Sequence, residues 1–137
     1  TTMLKLIIGL KGSGKTKTIV EMANAKLAET NGCVVFIEKG DKLIHEIKHQ
    51  ARLLNTDEYL VNNGTALYGF VAGILASNHD VTDLFIDSAL KIANNDLAGF
   101  DTFVKEVDEL TNKLGVNVVM TSSIPAEEAS DIVKKYI

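Results

Sequence analysis

Apolar positions along this chain follow two rhythms. Short segments dominated by apolar residues stand at 4–8, 33–37 and 116–120, three apolar residues run into Asp87 within 81–87, and Cys33-Val34-Val35-Phe36-Ile37 is apolar throughout. An unbroken run of that kind marks a strand covered on both faces. Between the runs, apolar residues recur every three or four positions, as on one stripe of a helix. Ile19, Val20, Ala23 and Leu27 predict a helix over 15–30 that stops at Asn31-Gly32. Ile44, Ile47, Ala51 and Leu54 predict a second, capped by Asp41. Leu67, Val71, Ile74 and Leu75 predict a third over 64–76, and Phe103, Val104, Val107, Leu110 and Leu114 a fourth, capped by Asp101 and stopped by Gly115. Tyr59-Leu60-Val61-Asn62 reads as a short strand. Pro125 opens a final helix with Glu127 and Glu128 in its first turn and Lys134 and Lys135 in its last, as the helix dipole favours. Strands alternating with helices predict an α/β fold, three layers around a mostly parallel five-stranded sheet.

Composition narrows this picture slightly. The 137 residues suit one domain over 1–137, with 46% hydrophobic and 23% charged residues, one proline and no internal repeat. The apolar stretch 66–76 is shorter than the ~20 residues of a membrane helix, and no charged segment leads an apolar signal core, so a cytoplasmic protein off the membrane is expected. Thr1 and Thr2 before Met3 read as an addition to the natural start. Cys33, the only cysteine, excludes a disulfide framework and reads as a buried thiol. A net charge of −4 argues against a broad nucleic-acid surface, while a local contact is compatible with it. The densest basic stretch, Lys39, Lys42, Lys48 and Arg52 with His45 and His49, is diluted by Asp41 and Glu46 and reads as a solvated helix face.

The chemistry begins at Gly9-Leu10-Lys11-Gly12-Ser13-Gly14-Lys15-Thr16, between the first apolar run and the first helical pattern. A phosphate needs converging backbone N–H groups, and Gly9, Gly12 and Gly14 let the chain curl around it without a clashing Cβ. Lys15 reaches the β- and γ-phosphates as a point charge, Thr16 offers a hydroxyl to a magnesium ion, and the helix turns its positive end towards them. Lys11, Ser13 and Lys17 complete the nucleotide-contacting set. A bland glycine turn with a solvated lysine would not need the strand before it and the helix after it. Lys11 lies four positions before Lys15, one short of the spacing in the loop variant with a second signature lysine, so that variant is not favoured. A second landmark is Leu84-Phe85-Ile86-Asp87, which places a carboxylate at the end of a buried strand, where it can hold the metal with Thr16.

Other motifs carry less. His45-Glu46-Ile47-Lys48-His49 matches the zinc-binding HExxH, but a lysine sits inside it and both histidines point away from the apolar seam, so solvated histidines are the reading. Gly69 and Gly73 form a GxxxG pair that reads as a close helix contact within a soluble fold. Residues 92–99 have turn composition and are expected to form the mobile loop beside the nucleotide.

The succession of phosphate loop, apolar strand ending in an acid, LFIDSAL strand and last strand with a polar tip resembles the RecA-like core of phosphate-loop ATPases, over nearly the whole chain. The resemblance implies a sheet order 3-2-4-5-1 with the first strand at an edge, and ATP and Mg2+ as ligands. It implies that Glu38 approximates the catalytic glutamate beside Lys15, and that Thr121 and Ser122 sense the γ-phosphate. Asp87-Ser88 resembles the Asp-Ser that follows the family's metal strand. The family's hydrolytic glutamate stands slightly later, where this chain has Lys39-Gly40-Asp41, and no second acid follows Asp87.

Three functions are compatible with these residues. The leading one is an ATP-binding protein with slow or partner-stimulated, magnesium-dependent hydrolysis. The others are a nucleotide-dependent binding module and a small-molecule kinase, the last disfavoured by a single arginine and the lack of a long lid. An apolar edge of Leu4, Leu6, Ile7 and Ile8, and a sole Arg52 expected far from its own phosphates, predict a homo-oligomer or an obligate partner covering the first strand.

Overall fold

The computed structural model describes residues 3–137, and Thr1 and Thr2, with the expectation attached to them, lie outside the described residues. Five strands form the sheet: β1 (Leu4–Ile8), β2 (Cys33–Glu38), β3 (Arg52–Asn55), β4 (Val81–Ile86) and β5 (Asn117–Ser122). Their order is β1-β5-β4-β2-β3 and every neighbouring pair is parallel. Counted from the other edge this is 3-2-4-5-1, with one difference. The third strand is Arg52–Asn55, paired with Val35 to Glu38, and not the expected residues 59–62.

The pleat sends alternate residues of the central strands into two cores. Val34, Phe36 and Phe85 meet Ile19 and Ala23 of α1 (Lys15–Glu29), together with Leu43, Ile47 and Ala51. Val35, Ile37, Leu84 and Ile86 face the opposite way. There they meet α2 (Gly64–Ser77), α3 (Ala89–Ile92), α4 (Leu97–Leu114) and α5 (Asp131–Lys134). Both faces of the sheet are thus covered, which makes three layers, and the central strand β2 is apolar on both sides because neither of its faces meets water.

Several local expectations are corrected. Residues 41–51 form turns, not a helix. Ile47 and Ala51 point inward as expected, but Ile44, expected on the inner seam, is 60% exposed and Leu43 is buried in its place. Of the expected strand 59–62, Tyr59 ends a 3-10 turn over Thr56–Tyr59 and the chain leaves that turn through Leu60 in a left-handed conformation, φ 58°. The expected loop 92–99 shrinks to residues 93–96, because α3 precedes it and α4 starts at Leu97, so Asp101 lies inside that helix. The terminal helix is broken into a 3-10 turn over Ala126–Glu128 and the short α5.

Two packing details matter later. Gly69 and Gly73 face outward, where an added Cβ would meet no heavy atom within 4 Å, so the GxxxG pair does not serve an internal contact. The close approach of α2 to α4 runs instead through Gly64, whose Cβ would lie 2.8 Å from the Gly99 carbonyl oxygen. At the β1 edge, Leu4 and Leu6 are buried and Lys5 is exposed. The outward Leu6 N–H donates to the Tyr136 carbonyl at 2.8 Å, so the C-terminal segment closes part of an edge expected to meet solvent. Among the described residues, no helix is long and apolar enough to cross a membrane.

Candidate functional site

The loop after β1 turns back on three glycines of positive φ: Gly9 (153°), Gly12 (85°) and Gly14 (89°). Gly9 allows a close approach, since a Cβ there would stand 2.8 Å from the Ser13 hydroxyl. At Gly12 and Gly14 a Cβ would meet no protein atom within 4 Å, so the loop curls around space that is free of protein. Gly14 immediately precedes α1 and supplies no side-chain cap, and the first turn of the helix contains no acid. The orphan N–H groups of a 15-residue helix therefore open towards that space with Lys15, Thr16 and Lys17 at their rim. The Lys15 ammonium donates to the Leu10 carbonyl at 2.8 Å and reaches the Ser13 hydroxyl at 3.5 Å, which holds it over the loop.

The carboxyl end of β4 brings Asp87 to the same place. The Thr16 hydroxyl lies 3.1 and 3.2 Å from the two Asp87 oxygens, across 71 residues of sequence. The Thr121 hydroxyl at the end of β5 donates to Asp87 Oδ1 at 2.8 Å and accepts the Ser88 N–H at 2.8 Å. Ser88 is left-handed (φ 61°), a conformation that costs a non-glycine residue about 1 kcal/mol or more and turns the chain sharply from β4 into α3.

Glu38 ends β2, one strand away, and is 3% exposed. Its carboxylate accepts the Leu43 N–H at 3.2 Å, and this bond folds the 41–51 segment against the strand end. Burial pushes the Glu38 carboxyl above its ordinary value. The Leu43 and Lys42 N–H groups oppose that shift, and the charges of Asp87 and Asp41 add to it.

These residues line one cleft of about 640 Å³ at the carboxyl edge of the sheet. Lys11, Lys15 and Lys17 stand on the loop side, and Lys39, Lys42 and Lys91 also line it. Six of the chain's 14 basic residues thus share a cleft with two carboxylates, in a molecule of net charge −4. Lys39 is held by Asp57 at 2.6 Å. Such a cleft focuses positive potential that overall charge conceals. Thr16 and Asp87 could hold a divalent cation, and the loop with α1 could hold an anion.

Of the residues expected here, Lys11, Gly12, Gly14, Lys15, Thr16, Lys17, Glu38, Asp87 and Thr121 line the cleft, while Gly9 and Ser13 shape the loop behind it. The Thr121 and Ser122 hydroxyls, expected to sense a γ-phosphate, are both engaged within the protein. The Thr121 hydroxyl is occupied by Asp87 and Ser88, which makes it a positioning group. Ser122 is 1% exposed and turned towards α3, where it accepts the Leu90 N–H. Ser123 lines the cleft instead. Sequence reading missed Lys42, Lys91 and Asn95, because only the fold brings the segment after β2 and the α3 region over the same edge of the sheet.

The remaining motifs lie elsewhere. His45 and His49 are exposed in turns, without the helix that would align them, and no group of three or more His, Cys, Asp or Glu is placed to hold a metal among the described residues. Arg52 opens β3, not a helix, at the end of the sheet opposite the cleft. There it borders a second cavity of about 470 Å³ with the half-buried Cys33, Tyr59 and Phe70. No protein-family model matches this chain, and no curated protein matches it either.

Proposed function

We propose that this chain binds a nucleoside triphosphate, ATP as the leading candidate, with Mg2+, and hydrolyses it slowly in the manner of the RecA-like phosphate-loop ATPases. The observation that carries the reading is the meeting of Thr16 and Asp87. A hydroxyl on an uncapped helix start and a carboxylate on the next-but-one strand converge beside a lysine and a glycine cradle open to a ligand. Thr16 and Asp87 are oxygen donors of the kind that would hold a magnesium ion, which would supply positive charge beside the phosphates. In this reading the N–H groups of residues 12–16 and Lys15 hold the β- and γ-phosphates, and Thr16 and Asp87 hold the metal. When bound, the metal neutralises charge on the phosphate oxygens. Glu38 orients water and takes its proton, a role that requires its ionised form. Arg52 stands too far away to act in its own cleft, so a stimulating arginine would come from a second copy or a different protein.

The second reading is a nucleotide-dependent binding module. It is favoured by the Glu38 carboxylate, which is already engaged by the Leu43 N–H and pushed towards its protonated form.

Calorimetric titration of ATP with and without Mg2+ tests the proposal. Lys15→Ala is expected to weaken binding by more than about tenfold, or ~1.4 kcal/mol. Asp87→Asn is expected to keep nucleotide binding and lose the enhancement by magnesium. Wild-type affinity in Lys15→Ala, or a wild-type response to magnesium in Asp87→Asn, overturns it.

A further inference from the structure

The cations of the cleft exceed what the triphosphate reading employs. Lys11, Lys15 and Lys17 belong to the glycine loop and the start of α1, and Lys39 is paired with Asp57. Lys42 and Lys91 are left, both exposed, with no ion pair or side-chain hydrogen bond among the described residues. They reach the cleft from different layers. Lys42 comes from the segment that follows β2 on the α1 side of the sheet, and Lys91 from α3 on the other side. Each adjoins a leucine that also lines the cleft, Leu43 beside Lys42 and Leu90 beside Lys91, with 8% and 7% of their surface exposed.

The two lysine–leucine pairs are fixed in place by the site itself. Glu38 holds the Leu43 N–H, and the Ser122 hydroxyl accepts the Leu90 N–H. The region they flank therefore has two ammonium groups, an aliphatic lining and the Glu38 carboxylate at the end of β2. Two unpaired ammonium groups favour a dianion, and the aliphatic lining favours carbon next to it over bare water.

We propose that Lys42 and Lys91 form a second anion subsite, distinct from the glycine loop, which binds a small phosphate ester. The proposal rests on the nucleotide reading only for what fills the loop. A second anionic ligand held by these lysines would share the cleft with Glu38 and Asp87. That is where a phosphoryl acceptor or a regulatory ligand would sit.

The experiment is calorimetric titration of glycerol 3-phosphate, with inorganic phosphate in parallel, into the full chain saturated with Mg2+ and a non-hydrolysable ATP analogue. Glycerol 3-phosphate is expected to bind the wild type, more tightly than inorganic phosphate. Its affinity is expected to fall by about tenfold or more in the Lys42→Gln/Lys91→Gln double variant, and the effect should weaken with added salt. The analogue itself is expected to bind that variant within about twofold of wild type. No binding of glycerol 3-phosphate to the wild type, unchanged binding in the double variant, or a parallel loss of the analogue overturns the proposal; the last outcome assigns both lysines to the nucleotide. Failure of the nucleotide reading shows separately, as absence of analogue binding at the outset. In that event the same titration of the free protein decides, since the subsite requires loss in the double variant but not in Lys15→Ala.

Discussion

Thr121→Val replaces a hydroxyl with a methyl of similar shape, and the structure sets what that should cost. The hydroxyl makes two bonds of 2.8 Å, one donated to the buried Asp87 carboxylate and one accepted from the Ser88 N–H. A hydrogen bond to a charged group contributes about 1.5–3 kcal/mol, and a buried donor left without a partner costs about 1–3 kcal/mol. Ser88 is only part-buried, and Thr16 still donates to Asp87, so the lower part of both ranges applies. The expected loss is about 3 kcal/mol. Thr121→Ser keeps both bonds and removes one buried methyl, a loss of about 1 kcal/mol. Urea unfolding of the three proteins at one pH should therefore rank wild type, Ser and Val in that order, with about 2 kcal/mol between the two variants. A Val variant as stable as the Ser variant would show that the hydroxyl bridge does not hold Asp87 and the strained Ser88 turn.

Three further outcomes are expected. The Glu38 carboxyl, raised above its ordinary 4.5 by burial, keeps its proton in the folded chain after the unfolded chain has lost it, so its contribution to stability falls as pH rises through that window. Glu38→Gln should accordingly be more stable than wild type at pH 7, the difference vanishing below about pH 4, and unfolding midpoints across pH check this. Tyr136 donates to Asp108 at 2.7 Å and its hydroxyl is pushed up to about 12 from 10.0, so its stabilisation is full below pH 10 and lost as pH rises from there to about 12. Tyr136→Phe should cost about 1.5 kcal/mol at pH 8 and progressively less at alkaline pH in the same measurement. Gly64→Ala should destabilise by about 1–3 kcal/mol, because its Cβ would meet the Gly99 backbone, whereas Gly69→Ala on the open face of α2 should stabilise by up to about 1 kcal/mol. Thermal melts of the pair distinguish a buried glycine contact from an exposed one.

What could be read from the sequence were the features set by neighbours in the chain. The strands β1, β2, β4 and β5 are short segments dominated by apolar residues, and the glycine loop announces its own strand and helix. Asp87 was legible as a strand-end carboxylate, and its meeting with Thr16 needed only the relation of two adjacent layers. The 41–51 segment was not legible. Its Ile44, Ile47, Ala51 spacing is helical, yet Gly40 adopts φ 97° and the Glu38 carboxylate takes the Leu43 N–H that a helix start would leave free. A buried carboxylate five residues back, at the end of the preceding strand, decided that local structure. Arg52-Leu53-Leu54-Asn55 likewise carries no strand pattern of its own and becomes one by pairing with β2. Lys42 and Lys91 looked like ordinary surface charges for the same reason.

The position of β1 has a consequence for how the molecule comes into being. Its only neighbour in the sheet is β5, so Leu4 waits for Val118 before it has a partner. During synthesis from the N-terminus, at roughly 5–20 residues per second, the strand that aims the glycine loop stays unpaired while α1, β2, β3 and β4 are made. Closing so long a stretch of chain is entropically slow, which makes β1 docking a late event. Thr121, which orients Asp87, arrives on that same final strand. A fragment lacking β5 would lose both the sheet partner of β1 and the Thr121 bonds to Asp87 and Ser88, so the two halves of the cleft would lose their common support together.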